Sequence, residues 1–199
     1  NPFTGGSDFV ELYNNSNKFI DLQNWSLANT DNNVVANLKP IITTPKLILP
    51  GEFVLLTKDA NNIATEYINS KTETFIEMAS LPTYSNSEGT VVLVNNLNLT
   101  VDSFYYEEDM HFSLLNSVKG VSLERIDYNR LTNDRTNWHS AAEEEGFATP
   151  GYENSQFQLA NTDGGTITID PKTFSPNNDG IDDVLNISYE FSTPGFVAN

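Results

Sequence analysis

What most restricts the folds open to this chain is a pattern of short runs, alternately apolar and polar, each broken after a few residues by Asn, Gly or Pro. A period of two marks a pleated strand with one buried face, and runs this short leave little room for helices. The stretch Asp8 to Leu27, DFVELYNNSNKFIDLQNWSL, shows the pattern best: a strand, a tight turn and a second strand ending on a tryptophan. Val10 and Leu12 share one face, Glu11 and Tyr13 the other. Asn14-Asn15-Ser16-Asn17 then reverses the chain, because Asn and Ser side chains satisfy local backbone groups and Asn tolerates positive φ. Ile20 and Leu22 resume the alternation, whereas Trp25 and Leu27 fall on the opposite parity. That switch predicts a bulge or one-residue register change at Gln23-Asn24, turning the indole toward the core.

After this opening pair, Val34 to Leu38 is a weak strand ending at Pro40. Leu47 to Thr57, LILPGEFVLLT, holds a turn at Pro50-Gly51 and a buried strand from Phe53 to Leu56. Ala60 to Ser87 is the least regular part, with a short strand at Phe75 to Met78 and turn-like residues from Tyr84 to Gly89. Thr90 to Val94 and Leu99 to Tyr106 flank Asn95-Asn96 as a hairpin. Gly120 to Asp127, GVSLERID, is a further strand with Val121 and Leu123 on one face and Glu124 on the other. A polar loop carrying Trp138 follows. Ser140 and Glu143 have capping-box spacing and Gly146 can end the turn, so Ser140 to Glu145 is the one helical segment expected. Many short strands, regular turn signals and almost no helix predict an all-β antiparallel sandwich.

A length of 199 residues accommodates one large domain or one domain with part of another. Apolar residues at 38%, with 11% aromatic, suffice for a core, so the chain is expected to fold. Twenty-seven acidic against ten basic residues leave a net charge of −17, a field that repels phosphate backbones and anionic lipid. Nucleic acid is therefore not an expected partner; cations or basic surfaces fit better. With no cysteine, disulfides and thiolate chemistry are excluded, while the compartment stays open. No run is long and apolar enough to suggest membrane insertion. The first residues, NPFTGGSDF, lack signal-peptide features, so the leader of an exported protein would precede them.

Several pieces together carry a resemblance. They are Glu11 with Asn14, Asp21-Leu22 followed by Trp25-Ser26-Leu27, Leu49 to Leu55 (LPGEFVL), Gly89 to Leu93, Val101-Asp102, Ser122-Leu123-Glu124-Arg125, Trp138 and Thr149-Pro150-Gly151. From about Asp8 to Asn154 the chain resembles a lamin-tail domain, the immunoglobulin-like module at the end of nuclear lamins that also occurs in exported bacterial proteins. The resemblance implies an immunoglobulin-like β-sandwich with a scaffolding role and no shared catalytic residues. The basic surface that serves nucleic-acid binding in nuclear relatives is absent here.

A second resemblance follows. Thr173 to Phe191, TFSPNNDGIDDVLNISYEF, is similar to the opening of C-terminal immunoglobulin-like modules of bacterial surface and gliding-associated proteins. The expected organisation is a sandwich over 1–155, a linker over 156–165 and an incomplete immunoglobulin-like segment over 166–199. Strands of such a segment must dock on the first sandwich or take part in strand exchange or augmentation with a neighbouring chain.

Among chemistry-bearing groups, Asn177, Asp179, Asp182 and Asp183, with Asn178 and the sharp turn at Gly180, resemble part of a calcium loop. The twelfth-position Glu of an EF-hand is missing, and an Asx-rich turn between strands is the alternative. His111 and His139 lack zinc-ligand spacing and are read as surface or packing residues. Arg125 is expected to cover apolar surface and form an ion pair. Trp25 and Trp138 could form a sugar-stacking platform, against a core position for Trp25. Sequons at Asn14, Asn24, Asn98 and Asn186 matter only in a host that glycosylates them. The function expected is a non-catalytic structural or adhesive module, extracellular or on a bacterial cell surface, with a protein or glycan partner. The alternative is an accessory carbohydrate- or calcium-binding domain beside an enzyme.

Overall fold

The computed structural model describes residues 1–158, 166–171, 174–176, 178, 180 and 183–190. The chain divides into two compact units, Asn1–Gln158 and Leu159–Asn199.

In the first unit the strands are β1 (Phe9–Tyr13), β2 (Ile20–Asp21), β3 (Ser26–Asp31), β4 (Val34–Pro40), β5 (Leu47–Ile48), β6 (Phe53–Thr57), β7 (Phe75–Glu77), β8 (Glu88–Val94), β9 (Thr100–Glu107), β10 (Leu123–Arg125) and β11 (Trp138–Ser140). One sheet runs β4-β3-β8-β9 and a second β1-β6-β7; β2-β5 and β10-β11 form short pairs. All of these pairings are antiparallel except β6–β7, which is parallel. Leu27 from one sheet and Val54 and Leu56 from the other meet in a single core cluster, with Val10, Leu12, Val91 and Leu93 packed against it. Two sheets closing on one apolar layer make this an all-β sandwich. Strand β6 shows no apolar alternation because both of its faces are covered. Val54 and Leu56 enter the main core, while Leu55 joins a second cluster with Ile63, Tyr67 and Ala148.

The structure corrects the opening stretch. β1 pairs with β6, not with the strand that follows it, and β2 pairs with β5. The loop between them is closed by the buried Asn14, whose Oδ1 accepts from the Ser16 N–H and whose Nδ2 donates to the carbonyls of Lys18 and Ile48. The parity switch before Trp25 is not a bulge inside one strand. The chain leaves the β2–β5 pair through a turn in which Trp25 N–H donates to the Leu22 carbonyl and Asn24 takes a φ of 60°, then enters the four-stranded sheet as β3. Half-buried Trp25 packs on the main core, as its parity required.

The helix is also relocated. Ser140 ends β11, and its hydroxyl contacts His111 and the Phe112 N–H rather than capping anything, so Glu143–Glu145 makes only a 3-10 turn. Among the described residues the α-helix is α1 (Ala60–Glu66), in the part expected to be least regular. Asp59 caps it by accepting from the Asn62 N–H at 2.9 Å, and the buried Ile63 and Tyr67 lie on one face against Leu55. ANNIATE has weak intrinsic helix propensity, so this packing supplies what local preference does not.

The strand expected over Gly120 to Asp127 shortens to Leu123–Arg125, and Trp138 opens a strand instead of sitting in a loop. The β8–β9 hairpin forms as expected, with its positive φ at Asn98 and Asn95 Oδ1 accepting from Leu97 and Leu99 N–H.

In the second unit β12 (Thr166–Asp170) and β13 (Asn186–Glu190) form an antiparallel ribbon in which Ile169 faces Ile187. No described helix is long and apolar enough to cross a membrane.

Candidate functional site

β1 is one edge of its sheet and β9 one edge of the other, and the chain after β9 returns as the β10–β11 hairpin. A cleft of about 370 Å³ lies among them, lined by Glu11 and Tyr13 of β1, Phe104 and Tyr106 of β9, and Glu124 and Trp138 of the hairpin. That volume is within the range of ligand pockets. Phe104 and Trp138 stack with ring centroids 3.7 Å apart and planes 17° from parallel, and Trp138 Nε1 donates to the Thr132 carbonyl at 2.7 Å. Toward the other side Tyr13 meets Tyr128 at a tilt of 36° (centroids 4.3 Å apart), and Tyr128 stacks on Phe157 (4.4 Å). Rigid aromatic walls therefore flank the strand edge.

Two carboxyl groups stand in this setting. Glu11 Oε2 accepts from the Gly151 N–H at 2.6 Å. Burial raises the Glu11 carboxyl from 4.5 to about 8; the Gly151 N–H works against the shift and the nearby Glu124 charge adds to it. Glu124 is buried, with Oε1 accepting from Thr149 Oγ1 and Oε2 from Ser155 Oγ and the Gln156 N–H, at 2.6, 2.6 and 3.1 Å. Neither acid forms an ion pair, since the bridges among the described residues join Arg130 to Asp134 and Arg135 to Glu107 and Asp109. Arg125 does not make the ion pair expected of it. Its guanidinium donates to the Arg130 carbonyl, its buried Nε lacks a partner, and burial lowers its pKa.

A nucleophile and its base are not assembled in the cleft. Ser140 Oγ accepts from the Phe112 N–H and shares a 2.9 Å hydrogen bond with His111 Nδ1, but Ser140 is only 3% exposed, and burial takes the His111 imidazole down to about 4. His139 Nδ1 lies 3.0 Å from the Ser140 carbonyl. Among the described residues no three His, Asp or Glu side chains converge as a metal site would require.

The sugar-stacking pair is not brought together: Trp25 packs on the main core and Trp138 on Phe104. Of the four calcium-loop candidates, Asn177, Asp179 and Asp182 lie outside the described residues. Asp183 closes a turn, its two oxygens accepting from the Asn178 and Gly180 N–H groups at 2.6 Å each.

Glu11 and Glu124 were not singled out as site residues, because an acid at the polar phase of a strand reads as solvated. The signal lay in the run that holds Glu11, Glu124, Thr149 and Gly151, which the structure ties in two neighbouring hydrogen bonds, Thr149 to Glu124 and Gly151 to Glu11. A family model described as Lamin Tail Domain matches residues 1–108, more than half of the 199 residues. The chain belongs to the lamin tail domain family. No curated protein matches it. The lamin tail domain is an immunoglobulin-like structural and protein-interaction module, and its fold is generally non-catalytic. Glu124, Thr149 and Gly151 lie beyond the matched residues; Thr149 bonds to Glu124, and Gly151 bonds to Glu11 within the matched residues.

Proposed function

We propose that this lamin tail domain is a non-catalytic structural or adhesive module of a bacterial exported or cell-surface protein, making contact through its sheet edges. One observation carries the reading: the groups in the cleft that could begin a reaction are tied into the framework, while strand edges stay open. Glu124 spends both oxygens on three donors and Glu11 holds the Gly151 N–H. β1 and β4, by contrast, each pair on one side only. The net charge of −17 supports exclusion of nucleic acid and keeps an exported protein soluble. The apolar pair Ile169 and Ile187, 50% and 58% exposed, suits the ribbon of the second unit to strand augmentation by a neighbouring chain.

Protease treatment of intact cells of the source organism tests the location: loss of the immunoblot band supports surface display, and full protection refutes it. Assays against nitrophenyl esters, phosphates and glycosides test the rest. Turnover abolished by Glu11→Gln or Glu124→Gln would establish an enzyme.

A further inference from the structure

The cleft between the β1 and β9 edges is apolar at its floor, where Val10, Leu12, Leu27, Val91 and Leu93 line it. Its walls are aromatic: the stacked Phe104–Trp138 pair stands on one side and the tilted Tyr13–Tyr128 pair on the other. Rings held in this way present flat apolar surface at little cost in side-chain entropy. A volume of about 370 Å³ suits a small molecule. Most polar groups along these walls are already engaged. Trp138 Nε1 donates to the Thr132 carbonyl, the Tyr106 hydroxyl to the Ser85 carbonyl and the Tyr84 hydroxyl to the Ala28 carbonyl. Glu124 has both oxygens bonded to donors.

Two side chains of the lining keep a group to spare, and both groups are donors. Glu11 Oε2 accepts from the Gly151 N–H, so the proton of the neutral carboxyl sits on Oε1. That oxygen has no partner among the described residues and is not sealed by burial. Arg125 donates from Nη2 to the Arg130 carbonyl, and its Nη1 is likewise unpartnered and unsealed. Charge narrows the guest further. Asp8, Asp102 and Glu108 are exposed where they line the cleft, so they repel an approaching anion but, being solvated, pair weakly with a cation. A cation would also meet the Arg125 guanidinium and find Glu11 neutral, Glu124 engaged and Glu107 paired with Arg135. An uncharged guest that brings an acceptor meets neither objection.

We propose that this cleft binds an uncharged, flat, largely apolar small molecule whose carbonyl oxygen accepts from the Glu11 carboxyl O–H. The apolar floor and aromatic walls supply affinity, and the single hydrogen bond sets orientation. A guest carbonyl satisfies a partly buried donor that the chain itself leaves unmatched, which is where a hydrogen bond counts most. The site goes beyond contact through sheet edges, since such contact requires no small ligand.

The test uses the full chain and three naphthalene probes of similar shape: 2-acetylnaphthalene, 2-isopropenylnaphthalene, which carries a methylene in place of the carbonyl oxygen, and 2-naphthoate. Binding is followed near neutral pH by tryptophan fluorescence and by amide shifts of the isotope-labelled protein. The ketone should bind saturably and shift the Glu11, Phe104 and Trp138 amides. The hydrocarbon should bind about tenfold more weakly, and the carboxylate more weakly still. In Glu11→Leu the advantage of the ketone should disappear while the hydrocarbon still binds, which shows the cleft intact. In Glu11→Gln, whose amide keeps a donor, the advantage should persist above pH about 8, where the wild-type carboxyl ionises and loses it. Should Glu11→Leu fail to fold, the Glu11→Gln comparison decides alone. Equal binding of ketone and hydrocarbon to the wild type, tighter binding of 2-naphthoate, no saturable binding of the ketone, or shifts confined to residues outside the cleft would each overturn the proposal. None of those outcomes touches surface display or the lack of turnover.

Discussion

Replacing Glu11 by Gln removes one titrating group while leaving an oxygen for the Gly151 N–H, which isolates the electrostatics of the cleft. Glu11 titrates at 4.5 when unperturbed and at about 8 in the folded chain, chiefly because burial disfavours its charge. Between those values the native state holds a proton that the unfolded chain has released. The stabilisation is therefore complete below 4.5 and is lost as pH rises through about 8. At about 1.36 kcal/mol per pH unit, the whole window amounts to roughly 5 kcal/mol. His111 titrates at 6.5 unfolded and about 4 folded, so above pH 6.5 the Glu11 slope stands clear of it. From pH 6.5 to 8 the wild-type chain should lose about 2 kcal/mol that Glu11→Gln keeps, or roughly 4–8 °C in Tm for a chain of this size. Tryptophan fluorescence is a suitable assay because both tryptophans, Trp25 and Trp138, lie in the first unit. If the melting temperatures of the two proteins fall in parallel over this range, Glu11 is ionised in the native state and the account of the cleft is wrong.

Other outcomes follow from single contacts. Gly151→Ala should cost at least about 2 kcal/mol by urea denaturation, since φ is 89° and a Cβ would stand 2.3 Å from Thr74 Oγ1 and 2.8 Å from the Lys71 carbonyl oxygen. Asp59→Ala should cost about 1 kcal/mol by removing the cap of α1, while Asp59→Asn keeps most of it. His111→Gln should flatten the acid limb: a base lowered to about 4 gives stability that is present above 6.5 and lost as pH falls toward 4, with a ceiling of roughly 3 kcal/mol in wild type.

Period-two patterning shows which face a residue takes but not which strand lies beside it. The Phe53–Thr57 run and the β8–β9 hairpin were therefore legible, one being apolar on both phases and the other closed by a short local turn. The partner of β1 was not, because β6 lies some 40 residues away and nothing within Asp8–Leu27 distinguishes it from a neighbouring strand. The parity switch before Trp25 was real, but a strand leaving one sheet for another leaves the same trace as a bulge. α1 escaped notice because Asn61 and Asn62 mask a helix whose evidence is a cap at Asp59 and two apolar residues four apart, Ile63 and Tyr67. Glu124 was placed correctly opposite Val121 and Leu123, yet it is 4% exposed because residues Thr149 to Gln156 close over that face.

The same geometry explains why a fold would retain two costly acids, Glu124 buried and Glu11 half-buried. A lone buried carboxyl is tolerated when protonated or well supplied with donors, and these two divide the solutions: Glu124 has three donors, and Glu11 has one and a raised pKa. Their separate donors all come from the Thr149–Gln156 segment, so the acids fasten the returning chain to the framework by side-chain contacts. An apolar pair could fill the volume but could not hold Gly151 by its N–H. Side-chain anchoring secures the arm and leaves the Phe9, Glu11 and Tyr13 N–H groups without an acceptor among the described residues, the arrangement expected of a domain whose work is contact.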